Sequence, residues 1–180
     1  MFRGSGSEEI ALTQLLRFAM ALAHINIGSN IGDRRAHIER AVAEIESALS
    51  VTALRSDYIE SEPWGYDSPN PYLNLGIAVA AQCLEPLALH RLLQQIQHAI
   101  DPAPHRRPDG TYADRTIDID LIAVGQAVID SPELTLPHPR MTMRPFVLRP
   151  IARIDPAWRH PLTGLTAVEH LALLSESEQD

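Results

Sequence analysis

The segment RTIDIDLIAVG, residues 115–125, alternates Asp118 and Asp120 with Ile117, Ile119 and Leu121. Successive strand side chains point to opposite faces, so the alternation predicts a strand with one apolar face and one face bearing two carboxylates. Their α-carbons would lie about 6.5 Å apart. Aspartate is depleted in strands, and two like charges that close favour a cation between them. The plain alternative is the exposed polar face of an open sheet. Carboxylate oxygens suit Mg²⁺, which takes one or two protein carboxylates and fills its shell with water and substrate phosphate. Arginines flank the strand: Arg106, Arg107 and Arg115 before it, Arg140 and Arg144 after it. Guanidinium forks grip phosphate oxygens bidentately, although any one of these arginines taken alone reads more readily as solvated loop charge than as a ligand group. Mg²⁺ on carboxylates beside arginines implies a nucleotide. His138, in TLPHPR, lies between two prolines that fix the local backbone and so could aim the imidazole.

A second strand pattern, YLNLGIAVA at 72–80, sends Leu73, Leu75, Ile77 and Val79 one way and Tyr72, Asn74 and Gly76 the other. An aromatic ring and an amide suit a flat heterocycle, by stacking and hydrogen bonding. Trp64, Tyr112 and Phe146 are candidates for further aromatic walls. Ordinary packing accounts for each of them singly.

The elements that must carry these residues follow from periodicity. Residues 21–27 read as a buried strand ending at the turn Gly28-Ser29-Asn30. Asp33 then caps a helix with Ile38, Ala41, Val42, Ile45 and Leu49 on one face. Strands at 52–61 and 72–80 bracket a Pro/Gly/Asn loop at 62–71. Pro86 opens a helix striped by Leu89, Leu92, Leu93, Ile96 and Ile100, and a Pro/Gly loop at 101–113 leads into the aspartate strand. A short partner strand is predicted at 126–130, with helices near 143–154 and 166–174. The order strand, helix, strand, strand, helix, strand predicts an α+β fold, a ferredoxin-like βαββαβ sandwich with an extra C-terminal strand and helices. Both helices of that unit would cover one face and leave the carboxylate face free.

Composition narrows the chemistry. The 180 residues suit one domain at 21–180, with residues 1–20 an N-terminal extension and a candidate for disorder. All 15 basic residues are arginine, which removes lysine-dependent phosphate loops and Schiff-base chemistry. The net charge of −8 argues against nucleic acid, and with it against an RNA-recognition domain of the same strand order, which needs a basic, aromatic sheet. No apolar run approaches the roughly 20 residues that span a bilayer. Cys83 is the only cysteine, so a reducing, cytoplasmic setting is expected, for a monomer or weak homodimer.

INIGSNIGD, EPWGYDSPNPYLNLGIAV, DRTIDIDLIAVG and LTLPHPRMTMRPFVLRPI occur in one order and spacing. In these motifs the chain resembles the 6-hydroxymethyl-7,8-dihydropterin pyrophosphokinases of folate biosynthesis, from about Ala21 to Pro156. The resemblance implies transfer of pyrophosphate from ATP to a reduced pterin, releasing AMP, with two Mg²⁺ ions on Asp118 and Asp120. It implies phosphate or charge-stabilising roles for Arg115, His138 and Arg144, and ATP contacts by Gln94, Arg106, Arg107, Leu121, Thr135 and Arg140. It implies a pterin pocket from Gly28, Ser61, Glu62, Trp64, Tyr72, Asn74, Tyr112 and Phe146. Where many members read Arg-Trp-Gly-Pro-Arg, this chain reads Thr111-Tyr112-Ala113-Asp114-Arg115. Gln97 replaces a glutamate of some members and Glu133 an arginine. The altered Tyr112 segment keeps open a relative acting on another pterin or one that has lost activity; a separate alternative is a non-catalytic ferredoxin-like small-molecule sensor, which would need neither the aspartate pair nor His138.

Overall fold

The structure, a computed structural model, describes residues 21–81, 84–104, 110 and 113–177. Its first six elements come in the predicted order: β1 (Leu22–Ser29), α1 (Arg34–Leu49), β2 (Leu54–Ser61), β3 (Tyr72–Ala80), α2 (Pro86–Ile100) and β4 (Asp118–Val124). Short strands β5 (Ile129–Asp130) and β6 (Thr135–Leu136), a 3-10 turn at Met141–Met143, and helices α3 (Pro145–Ile154) and α4 (Ala167–Ser177) follow. The result is an α+β fold on a four-stranded sheet in the order β2-β3-β1-β4, with every neighbouring pair antiparallel.

Local chemistry sets the helices. The Asp33 carboxylate accepts the Ala36 N–H at 3.0 Å, satisfying one of the orphan donors of the first turn of α1. Pro86 stands where α2 needs no donor. The apolar stripes of α1 (Ile38, Ala41, Val42, Ile45, Leu49) and α2 (Leu89, Leu93, Ile96) meet Ile25, Ile27, Leu75, Ile77, Ile119 and Leu121 in one core. Each fully buried large side chain there contributes about 1.5–3 kcal/mol.

The structure departs from the sequence expectations in three places. Gly28 and Ser29, expected in a turn, are the last two residues of β1 and pair with Asn74 and Leu73 of β3. The 126–130 segment does not pair with β4. Gly125 takes a positive φ of 50°, and its carbonyl accepts the Trp158 indole N–H at 2.7 Å. The chain therefore turns away, and β5 pairs with β6 in a ribbon of its own. Nor is the second sheet face wholly free. Helix α3 lies across β2 and β3, burying Val147, Leu148 and Ile151 with Ile122, Ala123, Met141 and Trp158 in a second apolar cluster. The seat for α3 is Gly76, where a Cβ would lie 2.1 Å from the Cβ of Pro150. A small residue on a strand reads as empty surface in sequence, whereas here its smallness admits a helix.

Two bulges shape the sheet. In β4, Leu121 faces Ile25 and Ala123 faces His24, so Ile122 is the extra residue. Its carbonyl accepts the His138 N–H at 2.8 Å, which fixes the segment after β6 against β4. In β2, the register shifts between Arg55 and Tyr58, and Ser56 Oγ accepts the Gly76 N–H at 3.1 Å. Because α3 touches the sheet at Gly76, Gly76→Ala overpacks that contact and is expected to cost about 1–3 kcal/mol. Chemical denaturation reads this as a lower midpoint, and an unchanged midpoint would mean that α3 is not seated there.

Candidate active site

The part of the sheet face that α3 leaves open is floored by three adjacent strands: Asn26 and Gly28 of β1, Tyr72 and Asn74 of β3, and Asp118 and Asp120 of β4. Register makes them neighbours, since Gly28 pairs with both Asn74 and Asp118, and Asn26 pairs with Asp120. Gly28 has no room for a side chain: a Cβ would lie 3.1 Å from Asn74 Oδ1 and 3.2 Å from the Tyr72 ring. Ser61 and Glu62 at the end of β2, Trp64 and Tyr66 of the following loop, Arg115, His138 to Arg140, and Arg144 with Phe146 raise the walls. The open cleft has a cavity volume of about 340 Å³, a size suited to a small molecule.

The floor is divided chemically. On the β3 side, Asn74 is 2% exposed. Its Nδ2 donates to the Ile59 carbonyl (3.2 Å) and Ser61 Oγ (3.0 Å), so Oδ1 is the acceptor it offers a ligand. Burial foremost keeps the Tyr72 phenol protonated far above its usual range, and Tyr66 OH lies 3.1 Å from Tyr72 OH.

On the β4 side sit the carboxylates. Arg115 Nη1 donates to Asp118 Oδ1 at 2.8 Å, and Arg144 Nη1 lies 3.5 Å from Asp120 Oδ2. Desolvation, reinforced by the charge of Asp118, pushes the Asp120 carboxyl up to about 7, with Arg144 and Arg115 pulling the other way. The Arg144–Asp120 contact is the longer of the two, and desolvation with the Asp118 charge outweighs it, so a divalent cation bound here would relieve a carboxylate that the arginines leave poorly stabilised. Among the described residues no group of three or more His, Cys, Asp or Glu side chains is arranged to hold a metal. Any ion here would therefore take two carboxylate ligands and complete its shell from water or substrate oxygens, the habit of Mg²⁺.

Desolvation foremost, with the charges of Arg144 and Arg140 adding to it, pushes the half-buried His138 imidazole down to about 4. It is neutral at pH 7. The Arg140 N–H donates to Nδ1 at 3.2 Å, which assigns the ring proton to Nε2 and makes His138 a donor. Trp64 lies against two guanidinium groups, with Arg140 at 5.3 Å and Arg144 at 4.8 Å from its ring centroid, and Arg144 is 5.8 Å from the Phe146 ring. Arg144 is thereby held between aromatic faces and Asp120.

Most of the sequence candidates converge. Gly28, Ser61, Glu62, Trp64, Tyr72, Asn74, Arg115, Asp118, Asp120, His138, Arg140, Arg144 and Phe146 all line the cavity. Three described candidates do not: Gln94 is exposed on α2, Leu121 is buried in the helix-side core, and Thr135 lies in β6. Arg106, Arg107 and Tyr112 lie outside the described residues, as does Cys83. Of the two replaced family positions, Gln97 accepts the Ile119 N–H at 2.6 Å and Glu133 pairs with Arg91 at 2.7 Å. Asn26, Tyr66 and Pro139 line the cavity without having been singled out. Asn26 was within reach of sequence, because it stands two residues before Gly28 on the same face. Its Oδ1 is buried without a partner among the described residues. Tyr66 lies in a loop with no periodicity to read.

A family model and several curated relatives agree on one family. The family model described as 7,8-dihydro-6-hydroxymethylpterin-pyrophosphokinase (HPPK) matches residues 24–156. The 2-amino-4-hydroxy-6-hydroxymethyldihydropteridine pyrophosphokinase of Porphyromonas gingivalis is 35% identical over 143 residues, 79% of this chain and 95% of that protein. The protein of the same name from Bacillus subtilis is 36% identical over 135 residues, 74% of this chain and 77% of that one. The one from Methylorubrum extorquens is 34% identical over 160 residues, covering 88% and 96%. Among solved structures, an HPPK-DHPS crystallised with substrates superposes with a TM-score of 0.66 at 12% identity, covering 89% of this chain. The chain spans 44% of the length of that fused protein, and the likeness is one of fold. On the match over residues 24–156 and these identities, the chain belongs to the 7,8-dihydro-6-hydroxymethylpterin-pyrophosphokinase family.

Proposed function

We propose that the protein transfers pyrophosphate from ATP to the hydroxymethyl group of 6-hydroxymethyl-7,8-dihydropterin, giving the pterin diphosphate and AMP, in folate biosynthesis. The observation that carries this reading is a single cavity with two chemically distinct halves. An amide and aromatic rings floor one half, and a carboxylate pair flanked by arginines floors the other. The antiparallel order β2-β3-β1-β4, with α1 and α2 packed on one side, supports the ferredoxin-like class for a single catalytic domain at 21–180. Use of ATP and the single cysteine support a cytoplasmic setting.

Each half has its task. Asn74 Oδ1 would accept from the donor edge of the pterin, with Tyr72, Phe146 and Trp64 against its faces and Ser61 and Glu62 at the rim. Asp118 and Asp120 would hold Mg²⁺, two ions in the reading that the family resemblance implies. Bound there, the metal would neutralise phosphate charge and help align the transferred phosphorus with the pterin hydroxyl. Arg115, Arg140 and Arg144, now held on carboxylates and an aromatic ring, would exchange those contacts for phosphate oxygens. His138, neutral with its proton on Nε2, would donate to the oxygen of the departing AMP. Transfer of this kind asks for positioning and charge neutralisation more than for a strong base. Gln94, Leu121 and Thr135 belong to α2, β4 and β6, and α2 and β6 each touch the edge strand β4. That edge is the ground for assigning them to the adenosine half of ATP.

Incubation with Mg-ATP and 6-hydroxymethyl-7,8-dihydropterin is expected to release AMP and the pterin diphosphate. Release of ADP, or binding without turnover, would overturn this function, the latter in favour of a sensor. Asp118→Asn and Asp120→Asn are each expected to lower transfer by at least about a hundredfold while leaving the circular dichroism spectrum unchanged.

The second variant also has a stability signature in the metal-free protein. Asp120 is raised to about 7 in the folded state, so the fold binds its proton more tightly than the unfolded chain does. Its contribution is complete below the ordinary carboxylate range and is lost as pH rises through 7. Asp120→Asn is therefore expected to melt above the wild type at pH 8 and not at pH 4, by about 2–4 °C for each kcal/mol recovered. Calorimetry without metal checks this, and equal melting at both pH values would contradict it.

A further inference from the structure

We propose that Asp114 is a positioning residue: it clasps the 62–71 loop to the floor of the cavity and so presets the wall that receives the pterin. Asp114 does not itself line the cavity. Its carboxylate gathers donors from two separate segments. Oδ1 accepts from Asn30 Nδ2 at 2.7 Å and from Tyr66 OH at 3.1 Å, and Oδ2 accepts from Asn70 Nδ2 at 2.7 Å. The Ser68 side chain donates to it as well. Asn30, just after β1, is the second node of the same knot. Its Oδ1 accepts the Arg115 N–H at 2.9 Å, its own N–H donates to the Arg115 carbonyl at 3.3 Å, and its Nδ2 reaches the Asn70 carbonyl and Tyr66 OH, each at 3.2 Å.

The consequence reaches the cavity through Tyr66, which lines it. Tyr66 OH stands 3.1 Å from Tyr72 OH, so fixing Tyr66 also fixes the phenol on the floor. Arg115 has its own anchors, with its backbone bonded to Asn30 and its guanidinium to Asp118 at 2.8 Å, and none of these bonds is made to Asp114. Only an ionised carboxylate can accept from Asn30, Tyr66, Ser68 and Asn70 together, because it has two acceptor oxygens and no donor of its own. Asp114 falls at one of the positions where the chain departs from the Arg-Trp-Gly-Pro-Arg pattern, and a proline there has no side-chain acceptor. A loop ordered before substrate arrives pays less on binding, and the gain goes to the ligand that the loop touches. The clasp therefore acts on affinity for the pterin and not on the transfer step.

The test uses the complementarity of Asp114 and Asn70. Asp114→Asn keeps an oxygen for Asn30 and Tyr66 but turns an amide N–H against the amide of Asn70. Asn70→Asp sets two carboxylates face to face. The double variant D114N/N70D restores one donor facing one acceptor. In the ligand-free protein, each single variant is expected to speed amide exchange across residues 66–70 by about tenfold, and the double variant to recover slow exchange. The KM for the pterin is expected to rise about tenfold in each single variant, with kcat within about twofold and the KM for ATP unchanged, and to recover in the double variant. Unchanged exchange in Asp114→Asn, or no recovery in the double variant, would overturn the clasp. So would a fall in kcat with the pterin KM unchanged. The kinetic measurements rest on the pyrophosphokinase reading and the exchange measurements do not: a wild type that forms no AMP refutes that reading, while exchange alone still decides the clasp.

Discussion

Two carboxylates on one face of β4 are the constraint to which the rest of the site responds. Asp118 and Asp120 stand side by side on a partly desolvated surface, and burial together with mutual repulsion lifts the Asp120 carboxyl to about 7. A strand tolerates this only with cations close by. Arg115 supplies one from the start of the strand, and Arg144 supplies another from the residue before α3. Each arginine is secured by structure beyond the ion pair: Arg115 through backbone hydrogen bonds to Asn30, Arg144 through the seating of α3 and the rings of Trp64 and Phe146. The groups that would meet a triphosphate are thus the same groups that make the unliganded carboxylate pair tolerable.

The sheet divides its outer face between support and chemistry by side-chain size. Gly76 admits Pro150, and α3 covers that part of the face. Gly28 admits nothing, and the close approach of Asn74 and Tyr72 above it forms a floor. The bulge at Ile122 completes the division, since the strand that carries the carboxylates inward also turns Ile122 and Ala123 into the second apolar cluster. The Ile122 carbonyl then holds the backbone of His138 beside the acids. Stability and function are therefore coupled along β4, where a few residues separate the helix-side core, the carboxylates and the C-terminal cluster.

Charge balance without lysine has a structural counterpart. Guanidinium groups are planar and weakly hydrated, so they can lie on aromatic faces in a way that an ammonium group does less well. Arg140 and Arg144 against Trp64 show this use. His138, kept neutral by burial beside those two cations, adds a donor without adding charge.

What the sequence determined by itself was local. Period-two alternation in 72–80 and 117–121 set which side chains share a face, period-3.6 stripes set α1 and α2, and Asp33 and Pro86 set where they begin. Those signals depend only on neighbours along the chain, and they brought Asn74, Asp118 and Asp120 to one surface. Tertiary structure decided what lies over that surface. The cover of α3 on Gly76, the ribbon of β5 with β6, the cavity wall from Tyr66 and the convergence of Asp114 on Asn30 and Asn70 all join segments far apart in sequence. A glycine or a loop carboxylate looks the same in sequence whether it faces water or a partner. Only packing, through the space left for Pro150 or the donors gathered by one carboxylate, distinguishes the two.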